Sequence, residues 1–122
     1  MKNKTIANLT ILTLGLCLFV SSAEAKHRRY REVLTVLPRD HHVIVVDQSH
    51  YFYTGGLFYR HDQAGRVYRM VPAPYGAVVT VLPHGCKTAY FKGIKHYYRD
   101  SVYYRPEIRS GRTAYVVVRI ER

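Results

Sequence analysis

One phrase in this chain is written twice. Thr35-Val36-Leu37-Pro38 returns 45 positions later as Thr80-Val81-Leu82-Pro83, and at the same offset residues 51–60 return as residues 96–105. A shared period of this size marks a duplicated supersecondary unit rather than two similar hairpins. Each copy, 33–71 and 78–118, spans about 40 residues, a size at which single units rarely fold alone. The copies are therefore expected to share one core: two pseudo-symmetric β repeats packed as a small sandwich or as fused half-barrels about a pseudo-twofold axis.

Local signals make both copies all-β. Val33 to Leu37 is a β-favouring run ended by Pro38, and Val67 to Val71 is ended by Pro72. Val43-Ile44-Val45-Val46 reads as a strand buried on both faces. Tyr51 to Tyr53 and Leu57 to Tyr59 flank Gly55-Gly56, whose tolerance of positive φ suits a two-residue hairpin turn. The second copy repeats this at Val78 to Leu82, Thr88 to Phe91, Tyr97-Tyr98, Val102 to Tyr104 and Tyr115 to Ile120, with Asp100-Ser101 in the turn. Two residues are gained between Arg105 and Tyr115, an insertion expected in a loop. No useful length shows the three-to-four spacing of an amphipathic helix.

Alternation divides each hairpin into two faces. Phe52, Leu57 and Tyr59, with Tyr97, Val102 and Tyr104, form the more apolar set and are assigned to the core. Tyr51, Tyr53, Phe58 and Arg60, with His96, Tyr98, Tyr103 and Arg105, form an aromatic set edged by guanidinium. That second set is the candidate binding surface, able to stack on sugars or peptide edges while its arginines hold an anion. The competing reading buries both faces, one in the core and one against the other repeat.

The ends bear on location. Lys2 and Lys4 precede an apolar run and then Ser21-Ser22-Ala23-Glu24-Ala25, the pattern of a signal peptide over 1–25. Residues 26–32 read as a basic mobile arm, and 33–122 as one β domain. The full chain has 19 Lys+Arg against 8 Asp+Glu, and losing Lys2, Lys4 and Glu24 takes its formal charge from +11 to +10. Such a product is drawn to polyanions. Outside the cytoplasm these are anionic envelope glycans or lipid headgroups rather than nucleic acid, and an envelope protein is the other expected partner. The expected location is periplasmic or secreted.

The chemistry-bearing residues are few. Cys17 falls within the leader, so Cys86 has no disulfide partner. His84-Gly85-Cys86 sets a thiol near an imidazole, the basis of a remote Cys-dependent enzyme reading. Its likeness to the Ser-x-Gly-Cys stretch of L,D-transpeptidases is confined to Gly85-Cys86. His41, His42, His84 and Cys86 are the alternative, metal-binding reading, resting on the twofold that would bring His41 and Cys86 together; none of the histidine spacings is a known zinc pattern. No cofactor is expected. The favoured function is non-enzymatic: an envelope protein of binding or structural type.

The run Val71-Pro72-Ala73-Pro74-Tyr75-Gly76-Ala77-Val78-Val79, followed by Leu82-Pro83-His84-Gly85 and Tyr103-Tyr104-Arg105, resembles a family of small, exported, tyrosine-rich bacterial proteins of unknown function. The resemblance covers most of Val33 to Val118. It implies a location in the envelope of a Gram-negative bacterium and carries no activity.

Overall fold

A computed structural model describes residues 32–121. The expected signal peptide and nearly all of the basic arm lie outside the described residues. Ten strands run in the order β1 (Val33–Leu34), β2 (His42–Val46), β3 (Ser49–Thr54), β4 (Leu57–Asp62), β5 (Val67–Val71), β6 (Val78–Val79), β7 (Lys87–Phe91), β8 (Ile94–Arg99), β9 (Val102–Arg109) and β10 (Arg112–Val118). They form two five-stranded antiparallel sheets, β1-β5-β4-β3-β2 and β6-β10-β9-β8-β7. The two orders are the same, and every strand of the second sheet begins 45 residues after its counterpart. The all-β class and the duplication are both as expected.

Most hairpins close on two residues of positive φ, the geometry whose twist matches that of paired strands. Asp47-Gln48, Gly55-Gly56, Asp100-Ser101 and Ser110-Gly111 all have it, and Lys92-Gly93 stands at the counterpart of Asp47-Gln48. Phe52 pairs with Tyr59 and Tyr53 with Phe58, as Tyr97 pairs with Tyr104 and Tyr98 with Tyr103. The gained residues do fall in a hairpin connection, but they lengthen the ladder instead of loosening the loop. In the first sheet the β4–β5 pairing ends at Asp62 opposite Val67. In the second it runs on through Ile108 opposite Thr113 and Arg109 opposite Arg112.

Two strand expectations change. Thr35 to Leu37 and Thr80 to Leu82 leave their sheets, so β1 and β6 are two residues each. The strand at Val43–Val46 is not buried on both faces: Ile44 is buried, whereas Val43 and Val45 are more than half exposed. β2 lies at the edge of its sheet, and only the side turned to the other sheet is covered.

The shared core contains Ile44, Tyr53 and Phe58 from the first sheet and Ala77, Val79, Tyr104 and Val117 from the second, with Val46, Tyr51, Val71, Tyr97 and Val102 packed against it. Its two halves are not equivalent. The counterparts of Tyr53 and Phe58 are Tyr98 and Tyr103, which are outside it; the counterpart of Tyr104 is Tyr59, buried elsewhere. A twofold axis would bring like faces together. Here unlike faces meet, so the sheets pack in tandem, the first laying its Tyr53/Phe58 face on the Tyr104/Val117 face of the second. The linker is tied down beside this contact, Gly76 N donating to Val117 O and Val117 N to Ala77 O, each at 2.8 Å.

Candidate functional site

Tandem packing divides the eight candidate binding residues. Tyr53 and Phe58 are 3 % and 1 % exposed, core residues and not a platform. Their rings lie 4.9 Å apart, and the Tyr53 hydroxyl donates to the Val81 carbonyl at 2.7 Å. Burial pushes the Tyr53 phenol up to about 12. Burial likewise raises Tyr104, beside it, well above its ordinary value. Two buried phenols therefore stay neutral and bonded where the sheets meet. Tyr51 packs against the core, and the exposed Arg60 sets its guanidinium 5.4 Å from the Tyr51 ring centroid. The surface expected on the first repeat is thus consumed by folding, apart from Arg60.

The second repeat keeps its copy on the outside. Tyr98 and Tyr103 stack with centroids 5.2 Å apart and planes 25° from parallel. Phe91 meets Tyr103 edge-on at 5.5 Å and His96 edge-on at 5.3 Å. His96 is buried, its Nδ1–H donating to the Ile94 carbonyl at 2.9 Å, so it braces the row instead of presenting a face. Phe91 was missed in the sequence because its counterpart in the first copy, Val46, is not aromatic.

Cations surround this row. Lys87 pairs with Tyr98, and Arg105 with Val116, both on the side of the sheet that carries Tyr98 and Tyr103. Lys87 and Arg105 are exposed. Arg109, further along β9, is occupied by Glu107 at 3.0 Å. An open groove of about 550 Å³ adjoins the row, lined by Ala73, Tyr75, Ser101, Tyr103 and Arg119 among others. Stacked phenols, exposed cations and a groove form a surface suited to a flat or ring-shaped anionic ligand.

The metal set does not converge. Among the described residues no three His, Cys, Asp or Glu side chains gather as a metal site. His41 packs its ring edge-on to Phe52 at 5.9 Å and bonds through Nδ1 to Pro38 O at 2.6 Å. Cys86 instead influences Tyr53 and Tyr104 at the contact between sheets. The twofold that was to bring these equivalent slots together is absent. His42 and His84 are exposed, and the His84 carbonyl accepts from Arg99. Burial raises the Cys86 thiol, with Arg99 pulling weakly the other way. That favours the neutral thiol over the thiolate a nucleophile needs.

The fold defines an all-β protein built of two tandem five-stranded repeats. The chain belongs to a family of unknown function, DUF6515, whose model matches residues 30–121. No curated protein and no solved structure matches it.

Proposed function

We propose that this is an exported, non-enzymatic envelope protein that binds an anionic envelope glycan or lipid headgroup through the outer face of its second repeat. One observation carries the reading: of two copies of the same aromatic hairpin, one is spent on the core and the other leaves Tyr98 and Tyr103 stacked on an outer face beside Arg105 and Lys87. The high positive charge supplies long-range attraction to such a ligand. The leader-like residues 1–25 are the basis for the location.

Pull-down on purified peptidoglycan and on lipopolysaccharide, across a salt series, tests it. Arg105→Ala with Tyr98→Ala should weaken binding on the order of tenfold, the scale of one cation–π or charge-assisted contact. Arg60→Ala, on the consumed side, should change it by no more than any other single charge. Equal losses from both, vanishing together at high salt, would reduce the interaction to bulk charge. Binding to neither material at low salt would leave an envelope protein as the partner to seek.

A further inference from the structure

The β7–β8 and β9–β10 hairpins turn at the same end of the second sheet, on Lys92-Gly93 and Ser110-Gly111, all four residues at positive φ. Such tight turns hold the flanking side chains at the end of the ladder. Three of these are large, apolar and exposed: Ile108 at 71 %, Tyr90 at 69 % and Ile94 at 50 %. Ile108 stands on the part of the β9–β10 ladder that the first repeat lacks. Four exposed cations are set among them, Lys92, Lys95, Arg109 and Arg112. The one carboxylate at this end, Glu107, is paired with Arg109 at 3.0 Å, so three cations are left in excess.

The equivalent end of the first repeat is built otherwise on the same plan. Asp47-Gln48 stand where Lys92-Gly93 do, Ser49 where Ile94 does and His50 where Lys95 does. Its other hairpin closes on Asp62, which binds the backbone of its own loop and Arg69. One copy thus ends in polar and acidic groups, the other in apolar side chains among cations. Single exposed apolar residues are ordinary, but three gathered at one end mark a contact surface. Their directions say what kind. By alternation Tyr90 and Ile108 lie on the side of the sheet that carries Tyr104, and Ile94 on the side that carries Tyr98. A protein partner would have to grip both faces of the sheet at once. A bilayer accepts the end as a whole, its acyl boundary taking the apolar side chains while its anionic headgroups meet the lysines and arginine. A tyrosine suits that boundary, with an apolar ring and a polar tip.

We infer that this end of the second sheet is a membrane-docking edge, which seats Tyr90, Ile94 and Ile108 in the interfacial layer of an anionic bilayer and is held there by Lys92, Lys95 and Arg112. The contact is peripheral, because three side chains on two turns reach the boundary between headgroups and acyl chains and go no deeper. With this end seated, the opposite Asp100-Ser101 turn points away from the bilayer. The inference does not depend on what the Tyr98/Tyr103 face binds.

The chain contains no tryptophan, so a single one reports on its own position. Tyr90→Trp and Ile108→Trp, each in the full chain, are mixed with vesicles of phosphatidylglycerol and phosphatidylcholine whose acyl chains carry bromine. Tyr75→Trp is the control, since Tyr75 lines the groove beside Asp100 and Ser101 at the far end. Emission from positions 90 and 108 should move to the blue and be quenched by the bromines, and emission from position 75 should not. The readout is local, so attachment through residues 1–25 alone does not produce it. Removing Lys92 and Lys95 as Lys92→Gln/Lys95→Gln should weaken the vesicle affinity about fivefold for each cation lost, the usual worth of a lysine near an anionic surface. Ile108→Asp in the Tyr90→Trp chain should abolish the quenching, with circular dichroism confirming the fold. Unquenched tryptophans at 90 and 108 overturn the edge, whether or not the vesicles bind. Quenching that is as strong on phosphatidylcholine alone and indifferent to the lysines overturns the anionic bilayer as its partner. A mass that rises with protein concentration in the absence of vesicles, and ceases to rise with Ile108→Asp, would assign this end to a second copy of the chain and overturn the lipid.

Discussion

Phe58 and Tyr103 stand at the same place in two copies of one hairpin, each paired across its turn with a tyrosine. Phe58 is sealed in the core, and Tyr103 is half-buried on an outer face. Their local sequences do not cause the difference; the packing of the sheets does. Tandem packing covers a given face in one copy and leaves it open in the other, so duplication yields a structural hairpin and a surface hairpin from nearly the same residues.

The largest expected contrast is in stability. Phe58→Ala should cost about 3–5 kcal/mol, the usual range for emptying a buried aromatic site. Tyr103→Ala should cost about 1 kcal/mol, the scale of one ring pair at a partly covered position. Denaturant unfolding of both variants measures this, and similar losses would mean that the two hairpins are equally buried.

The turns should differ next. Gly56→Ser drives a Cβ into Pro83 and places a side chain at φ 89°, for an expected loss of about 1–3 kcal/mol. Ser101→Gly alone should leave stability within about 1 kcal/mol of wild type, because glycine suits the positive φ already present. A harmless Gly56→Ser would remove the close approach on which the head-to-tail contact rests.

Alkaline pH sharpens the comparison through the phenols. Tyr53 and Tyr104 have folded pKa values above the unfolded value of 10, so the folded state holds their protons more tightly. Their contribution is complete below pH 10, and that of Tyr53 is lost as pH rises through about 12. Thermal melts from pH 9 to 12 should fall in that window, and Tyr53→Phe should flatten the fall.

The smallest effect belongs to the one hairpin that the repeats close differently. In the first repeat the Asp62 carboxylate accepts from Ala64 N and Gly65 N and pairs with Arg69 at 2.8 Å, which holds its pKa below the ordinary carboxylate range. Such a group stabilises above its unfolded pKa, and the contribution is lost as pH falls through the lowered folded value. Asp62→Asn should lower the melting temperature slightly at pH 7 and leave it unchanged at the acid end. The corresponding β9–β10 connection turns on Ser110-Gly111 instead and should show no equivalent acid-sensitive step.

Much of the architecture was legible in the sequence because β structure and hairpin register are written locally. The offset between copies gave two like sheets, and Gly55-Gly56 gave the pairing of Tyr53 with Phe58. The assignment of Tyr97, Val102 and Tyr104 to the core also held. What could not be read was the relation between the sheets. Both faces of each hairpin are aromatic, so hydrophobic alternation does not say which face meets the partner, and assigning the more apolar set of Phe52, Leu57 and Tyr59 to the core placed Tyr53 and Phe58 on the surface. The signals of tandem packing were small differences between the copies, glycine against serine at positions 56 and 101, which acquire meaning only once Pro83 is seen against Gly56. The truncation of β1 and β6 has the same origin, since the Thr-Val-Leu-Pro segments leave the sheet and in the second repeat become a seat for a hairpin.

The meeting of unlike faces is most directly tested by nuclear Overhauser contacts in the full chain. Tandem packing predicts cross-peaks from Gly56 Hα to Pro83 Hβ and from the Tyr53 ring to Tyr104 and Val81, with none between Tyr53 and Tyr98. Cross-peaks joining Tyr53 to Tyr98 or Tyr59 to Tyr104, without the Gly56–Pro83 contact, would mean that like faces meet about a twofold axis and would contradict it.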